Sequence, residues 1–145
     1  VAGEVVLVGD HLIGPVRVNA GYFRYTANQG ALGSRTDDAY TVSAKWTPAG
    51  GPIDYAIGYQ NMKAQNAAVN SGGNVLNAFA DTTASKGTAT GSRATVYASA
   101  MYHFDKITEV YFATDYLKLK DDYRVGSLNG KKSQMEYAIG LRTRF

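Results

Sequence analysis

Nine charged side chains stand at alternate positions in this sequence, and together they have the chemistry of a fixed-charge wall. They are Arg17, Lys45, Asp54, Arg93, Glu109, Asp115, Glu136, Arg142 and Arg144, each in a stretch whose other parity is apolar or aromatic. Such groups bias which ions enter a water-filled space without making or breaking a bond. Five are basic and four acidic. A mild preference for anions is one expectation; mutual pairing of the two sets, leaving no preference, is the other.

Other candidates have narrower chemistry. His11 and His103 are the only imidazoles, and they would hold a metal only if the fold brought them together. Ser99 shares a parity with His103, the minimum for a serine–histidine hydrolase. No G-x-S-x-G is present, however, and an open wet face is a poor site for excluding water. Ser71-Gly72-Gly73-Asn74 and Ala49-Gly50-Gly51 lack the G-K-[ST] ending of a phosphate loop and read as turns. Asp37-Asp38 and Asp121-Asp122 read as loop acids, solvated or able to bridge Ca²⁺ to a lipopolysaccharide. No catalytic residue, cofactor or resident metal is expected.

The elements that must position the charges are strands. Met135 to Phe145 places Met135, Tyr137, Ile139, Leu141, Thr143 and Phe145 on one face, opposite Glu136, Ala138, Gly140, Arg142 and Arg144. That period of two belongs to a strand with unlike faces. Similar patterns run over Val16–Ala27, Asp38–Thr47, Ile53–Lys63, Arg93–Phe104 and Ile107–Leu119. Val1–Leu12 alternates poorly, and Phe23-Arg24-Tyr25 breaks the pattern, as a bulge or an interfacial ring of aromatics would. Residues 64–92 have no steady period and read as one long loop, with Val75, Leu76 and Phe79 able to fold back. Links near Ile13, Gly50 and Asp105 are short, and those near Gln29, Gly73 and Leu128 are longer. That rhythm is expected of hairpins in up-and-down order, with the long loops, including 64–92, on the outer side.

The bulk numbers agree. The chain has 145 residues, 45% hydrophobic, with Gly 16, Tyr 11, no Cys and a formal charge of +3. Gly and Tyr at these levels suit sheets and turns. Lys131-Lys132 is the only adjacent basic pair, so nucleic acid is not an expected partner. No run approaches the ~18 apolar residues of a membrane helix, but strands of ~9–11 alternating residues can cross a membrane. Tyr40, Trp46, Tyr59, Tyr102, Phe104, Tyr116, Tyr137 and Phe145 fall near the expected strand ends, where interfacial girdles sit. A soluble β-sandwich with a polar outer face is the alternative that alternation alone leaves open.

Three stretches resemble a family. Tyr102-His103-Phe104-Asp105-Lys106-Ile107-Thr108-Glu109-Val110-Tyr111 is similar to the penultimate hairpin of Gram-negative trimeric porins. Gly140-Leu141-Arg142-Thr143-Arg144-Phe145 resembles their closing strand, particularly in the betaproteobacterial branch, and Gly14–Tyr22 an earlier strand start. The resemblance implies an outer-membrane, homotrimeric diffusion channel for small hydrophilic solutes and ions, in contact with outer-membrane lipid and lipopolysaccharide. It also implies an assembly signal at Tyr137 and Phe145, read by the barrel-assembly machinery. Such porins close with roughly sixteen strands. About seven are visible here, so this chain is expected to be the C-terminal part of one barrel domain. A small self-contained barrel acting as an anchor or adhesin would instead need an even strand count.

Overall fold

The computed structural model describes residues 3–144. Its seven strands are β1 (Gly3–Ile13), β2 (Val16–Asn28), β3 (Ser34–Trp46), β4 (Ile53–Ala68), β5 (Thr88–His103), β6 (Thr108–Asp121) and β7 (Ser133–Thr143). They form one antiparallel sheet in sequence order. This is the all-β, up-and-down arrangement expected from the alternation. A sandwich needs two sheets, and the described strands make one. The sheet is open, because β1 and β7 are not hydrogen-bonded to each other.

Short links and long links segregate to opposite ends. Gly14-Pro15, residues 47–52 and residues 104–107 close one end; residues 29–33, 69–87 and 122–132 span the other. The two-residue turn at Gly14 uses a left-handed φ of 57° that glycine adopts without a Cβ clash. At the third turn the Asp105 carboxylate accepts the backbone N–H groups of Ile107 at 2.8 Å and Thr108 at 2.7 Å. Those donors hold the carboxyl below the usual carboxylate range.

Several boundaries differ from the alternation pattern, for one main reason. The register of β4 on β5 shifts between Ala64 and Ala67, and Asn66 sits there with φ 55°. Such a bulge flips the parity of everything beyond it. Residues 64–92 are not one loop: Ala64–Ala68 finish β4, Thr88–Ser92 begin β5, and the connection is 69–87. Asn66 Nδ2 ties the bulge to the carbonyl oxygens of Leu32 at 2.8 Å and Ser34 at 3.0 Å. By contrast, Phe23-Arg24-Tyr25 holds no bulge; its register is continuous on both sides. Phe23 and Tyr25 stack parallel on one face while Arg24 points to the other. Asp37 and Asp38 lie inside β3, and Asp121 ends β6, so these are not simple loop acids.

The small core sits at the long-loop end. Ala64, Ala67, Leu119, Tyr123 and Leu128 are buried there, with Met62, Val75, Leu117 and Val125 packed against them. Burial lifts the Tyr123 hydroxyl above its ordinary range. Arg35 secures the loop above this core. It is 3% exposed, and its Nε donates to both carboxylate oxygens of Asp37 (4% exposed) at 2.9 and 3.0 Å. Its Nη1 donates to the Leu76 carbonyl at 2.8 Å. Val75 bridges back to Val69, and the Phe79 ring lies 5.3 Å from that of Tyr25, the fold-back expected for these residues.

Candidate functional site

Opposed residues of an antiparallel pair share a face, so the register assigns every side chain to one side of the sheet. One row runs Arg17, Lys45, Ala56, Ser99, Ala113, Ala138 from β2 to β7. Two residues away along the strands lie Asp54, Met101, Tyr111 and Gly140, and beyond them His103, Glu109 and Arg142. In the opposite direction lie Arg93, Asp115 and Glu136. Eight of the nine candidate charges thus occupy one face, and Arg144, past the end of β7, reaches it through Glu109 at 3.6 Å. Asp10, which the alternation did not single out, joins them by pairing with Arg17 at 3.5 Å.

This face carries two hollows. A depression of about 490 Å³ is bounded by Val6, Val8, Phe23, Thr41, Gln60 and Arg93 among others. A smaller one of about 110 Å³ lies between Gln60, Arg93, Asp115, Gln134 and Glu136. Tyr97 and Tyr111 lie flat across Gly58 and Gly140 on the same side, where an added Cβ would meet the rings at 2.1 and 2.4 Å. Small residues are therefore required opposite those rings. The poor alternation of β1 has its cause here, since Val6 and Val8 face the hollow while Val5 and Leu7 face away.

At the short-turn end the charges form a chain. Lys45 Nζ lies 2.9 Å from Asp54, and His103 Nε2 lies 3.1 Å from the same carboxylate. His103 Nδ1 lies 3.0 Å from Glu109, which also binds Arg142. The carboxylates are the covered partners: side-chain exposure is 14% for Asp54 and 7% for Glu109, against 51% for both Lys45 and Arg142. The positive heads therefore meet the solvent. Pairing and cationic excess, posed as alternatives, coexist here. His11 is on the other face of β1, so the two imidazoles are not brought together. Ser99 lies four residues from His103 along β5, whose ring nitrogens both face carboxylates.

The opposite face is apolar over seven residues of each strand from β2 to β7. Its outward side chains are Val16–Tyr22, Tyr40–Trp46, Ile53–Tyr59, Val96–Tyr102, Val110–Tyr116 and Met135–Leu141, taken alternately. Seven residues span about 20 Å along a strand. The aliphatic hydroxyl in the band, that of Thr114, donates to the Glu136 carbonyl at 2.9 Å. Ile57, Leu141 and Ile139 are 58%, 68% and 80% exposed, within a contiguous apolar band of the kind that marks a membrane or partner contact.

Aromatics mark the band's edges. Tyr22, Tyr40, Tyr59 and Tyr116 follow its long-loop edge, with Tyr40 and Tyr59 rings 5.9 Å apart. Trp46, Tyr55, Tyr102 and Phe104 follow the other, paired at 5.5 Å and 4.9 Å. Tyr22 and Tyr55 were missed by inspection of strand ends. The strands continue past the band by several residues, so the tyrosines mark the band and not the strand termini. Tyr137, expected at an edge, is a correction: β7 starts at Ser133, and the ring sits mid-band, 6.4 Å from Phe112. Phe145, the other half of the expected assembly signal, lies outside the described residues.

No family model matches the chain, and no curated protein matches it. Among solved structures it is similar to one described as outer-membrane expressed OmpT of Vibrio cholerae. The TM-score is 0.63 at 17% identity, over 98% of this chain and 41% of that one. The sheet has the fold of an outer-membrane β-barrel. An outer-membrane barrel wall turns its apolar side to lipid and its charged side inward, which is the division of faces in this sheet. The chain spans less than half the length of that structure, and an open sheet is what part of a barrel would be.

Proposed function

We propose that this chain is the C-terminal part of a wide outer-membrane barrel of the porin type, through which small hydrophilic solutes and ions diffuse in water. The observation that carries this reading is the division of charge across the sheet. Inside the seven-residue band of β2 to β7 the outward face holds no charged side chain, while the hollowed face carries charged residues on every one of these strands and ion pairs at its short-turn end. A lumen filled by protein would bury these charges in closed, fully paired networks. Partly solvated arginines and lysines call for water. Seven strands over 41% of the neighbour's length scale to about seventeen over the whole, the size class that leaves an aqueous channel.

The apolar face would contact lipid or a neighbouring subunit of a homotrimer. Lipopolysaccharide and the barrel-assembly machinery are the further partners of such a protein. Selectivity would be mild and anionic, set at the short-turn mouth, where Lys45, Arg142 and Arg144 face the solvent and Asp54 and Glu109 are covered. The test is planar-bilayer recording on the protein extracted from its membrane. Ohmic conductance with a reversal potential shifted toward the anion is expected. Absence of conductance would refute the channel, and cation preference would refute the assignment of the mouth.

A further inference from the structure

One cross-strand row underlies the larger depression. The register sets Val6 beside Phe23, Phe23 beside Ala39, Ala39 beside Met62 and Met62 beside Arg93, all on the hollowed face. All five line the depression of about 490 Å³, a volume ordinary for a small-molecule site. Four are apolar, and the last is a guanidinium. With strands about 4.8 Å apart, Phe23 and Met62 stand about 10 Å apart with only the Ala39 methyl between them, a gap that admits one ring. The aromatic surface continues toward the long-loop end. Phe23 stacks on Tyr25 with ring centroids 6.3 Å apart, and Tyr25 meets Phe79 of the 69–87 connection at 5.3 Å. Phe79 is 81% exposed at that mouth. Every other basic residue that β2 to β7 put on this face is in an ion pair. Arg93 is exposed and is in none among the described residues. Asp115 and Glu136 border only the smaller hollow on its far side.

We infer that Phe23, Ala39, Met62 and Arg93 form a binding site for aromatic carboxylates on the channel side of the wall. The inference rests on the porin reading and deepens it by naming a solute class with its own site. The ring of such a solute lies over Ala39, against the Phe23 ring on one side and the Met62 thioether on the other. Its carboxylate reaches Arg93, whose planar fork pairs both oxygens. Gln60 and Thr95 border the same end and add an amide and a hydroxyl donor. Charge fixes the direction. Glu4 lies opposite Tyr25 on the mouth side, and Asp37 in that row is taken by Arg35, so the anionic end turns away from the mouth and toward Arg93. Phe79 and Tyr25 give the ring a path from the mouth to the gap. A small carboxylate without a ring leaves the gap over Ala39 empty, and an uncharged aromatic leaves Arg93 unpaired. The site therefore selects solutes that carry both groups.

The test uses the full protein in detergent micelles and isothermal titration calorimetry, with phenylpropionate as the probe and phenylpropanol and acetate as references. The charge-assisted pair to Arg93 should favour phenylpropionate over phenylpropanol by about ten- to a hundredfold, and acetate should bind more weakly than phenylpropionate. Arg93→Gln should bring the two aromatic probes to equal affinity, and Arg93→Lys should keep part of the preference. Ala39→Phe closes the gap between Phe23 and Met62 and should weaken both aromatic probes by about tenfold or more. Heat-modifiable gel mobility verifies that each barrel is folded. A preference unchanged in Arg93→Gln would overturn the role of Arg93. Undiminished binding in Ala39→Phe would overturn the placement of the ring, and phenylpropylammonium bound as tightly as phenylpropionate would overturn the anion assignment. No binding by the parent, as when the rest of the barrel fills the hollow, would overturn the site. Conductance is read on the same samples. Conductance without phenylpropionate binding sinks only this inference, and binding without conductance sinks only the channel.

Discussion

Replacing Arg35 should release the 69–87 connection and destabilise the wall beneath it, and the two effects should separate. Arg35 and Asp37 are 3% and 4% exposed and joined by two hydrogen bonds. Arg35→Met strands the Asp37 carboxylate in a covered site. Losing one partner of a buried pair costs about 3–5 kcal/mol. The same change removes the bond from Nη1 to the Leu76 carbonyl. A hydrogen bond to a charged group is worth about 1.5–3 kcal/mol, roughly ten- to a hundredfold in the opening equilibrium of the loop. Lys86 is the one trypsin site within 69–87, and it is exposed. Cleavage there should accelerate by that factor, since proteolysis of a transiently opened segment follows its open population. The double variant Arg35→Met, Asp37→Leu removes the stranded charge and should return urea stability in lipid vesicles to within about 1–2 kcal/mol of the parent. It cannot restore the Leu76 bond, so trypsin should still cut fast. Parental cleavage rates in Arg35→Met would refute the latch, and equal instability of single and double variants would refute the stranded-charge argument.

Further outcomes follow from the two faces and the turns. Ala44→Arg, mid-band on the outward face, should cost about 2–4 kcal/mol of folding stability in vesicles, whereas Ala56→Arg on the hollowed face should cost far less; equal costs would contradict the assignment of faces. Gly58→Ala drives a Cβ into the Tyr97 ring and should cost about 1–3 kcal/mol by urea titration, with Tyr97→Ser relieving most of it. The depressed Asp105 carboxyl stabilises the turn above its unfolded-state range, and that contribution is lost as pH falls through the lower folded value. Asp105→Ala should therefore be less stable than the parent at neutral pH, with the difference closing in acid; a gap independent of pH would remove the carboxylate from the account.

Much of the wall was legible in the sequence because a period of two survives wherever the register is regular. The charged and apolar sets could be separated from alternation alone, and the positions of short and long links follow from glycine, proline and aspartate placement. Legibility failed where parity was broken or masked. Asn66 flips the phase inside a run of small residues, so Ala64–Ala68 reads as loop, and Thr88–Ser92 reads as loop because its small and polar residues give neither face an apolar side. Arg35 and Asp37 sit two residues apart on one strand, an ordinary local pair until the 69–87 connection covers them. His103 lies on the inner face by its parity, yet its place between Asp54 and Glu109 depends on cross-strand registers that link residues 49 positions apart. Lys63 and Lys120 likewise become near neighbours only through Ser92.

The edges of the sheet constrain what completes it. β1 and β7 each present a row of unsatisfied N–H and C=O groups on their outer side, over eleven residues apiece. In hydrocarbon each such group costs several kcal/mol, so either row would exceed the 5–15 kcal/mol by which a domain is ordinarily stable. The edges must be paired, and strand direction restricts how. With seven strands in up-and-down order, β1 and β7 both run toward the short-turn end. Closing them on each other, or on copies related by rotation about the barrel axis, would juxtapose parallel strands. Antiparallel closure requires an odd number of additional strands, and nine would give sixteen. With the nine further strands of the wide-channel reading, we expect the native protein, extracted in detergent and denatured, to have at least twice the mass of this chain. A mass equal to these 145 residues would mean that the edges pair in some other way, such as β1 with β7 in parallel, and the wide channel would fall with it.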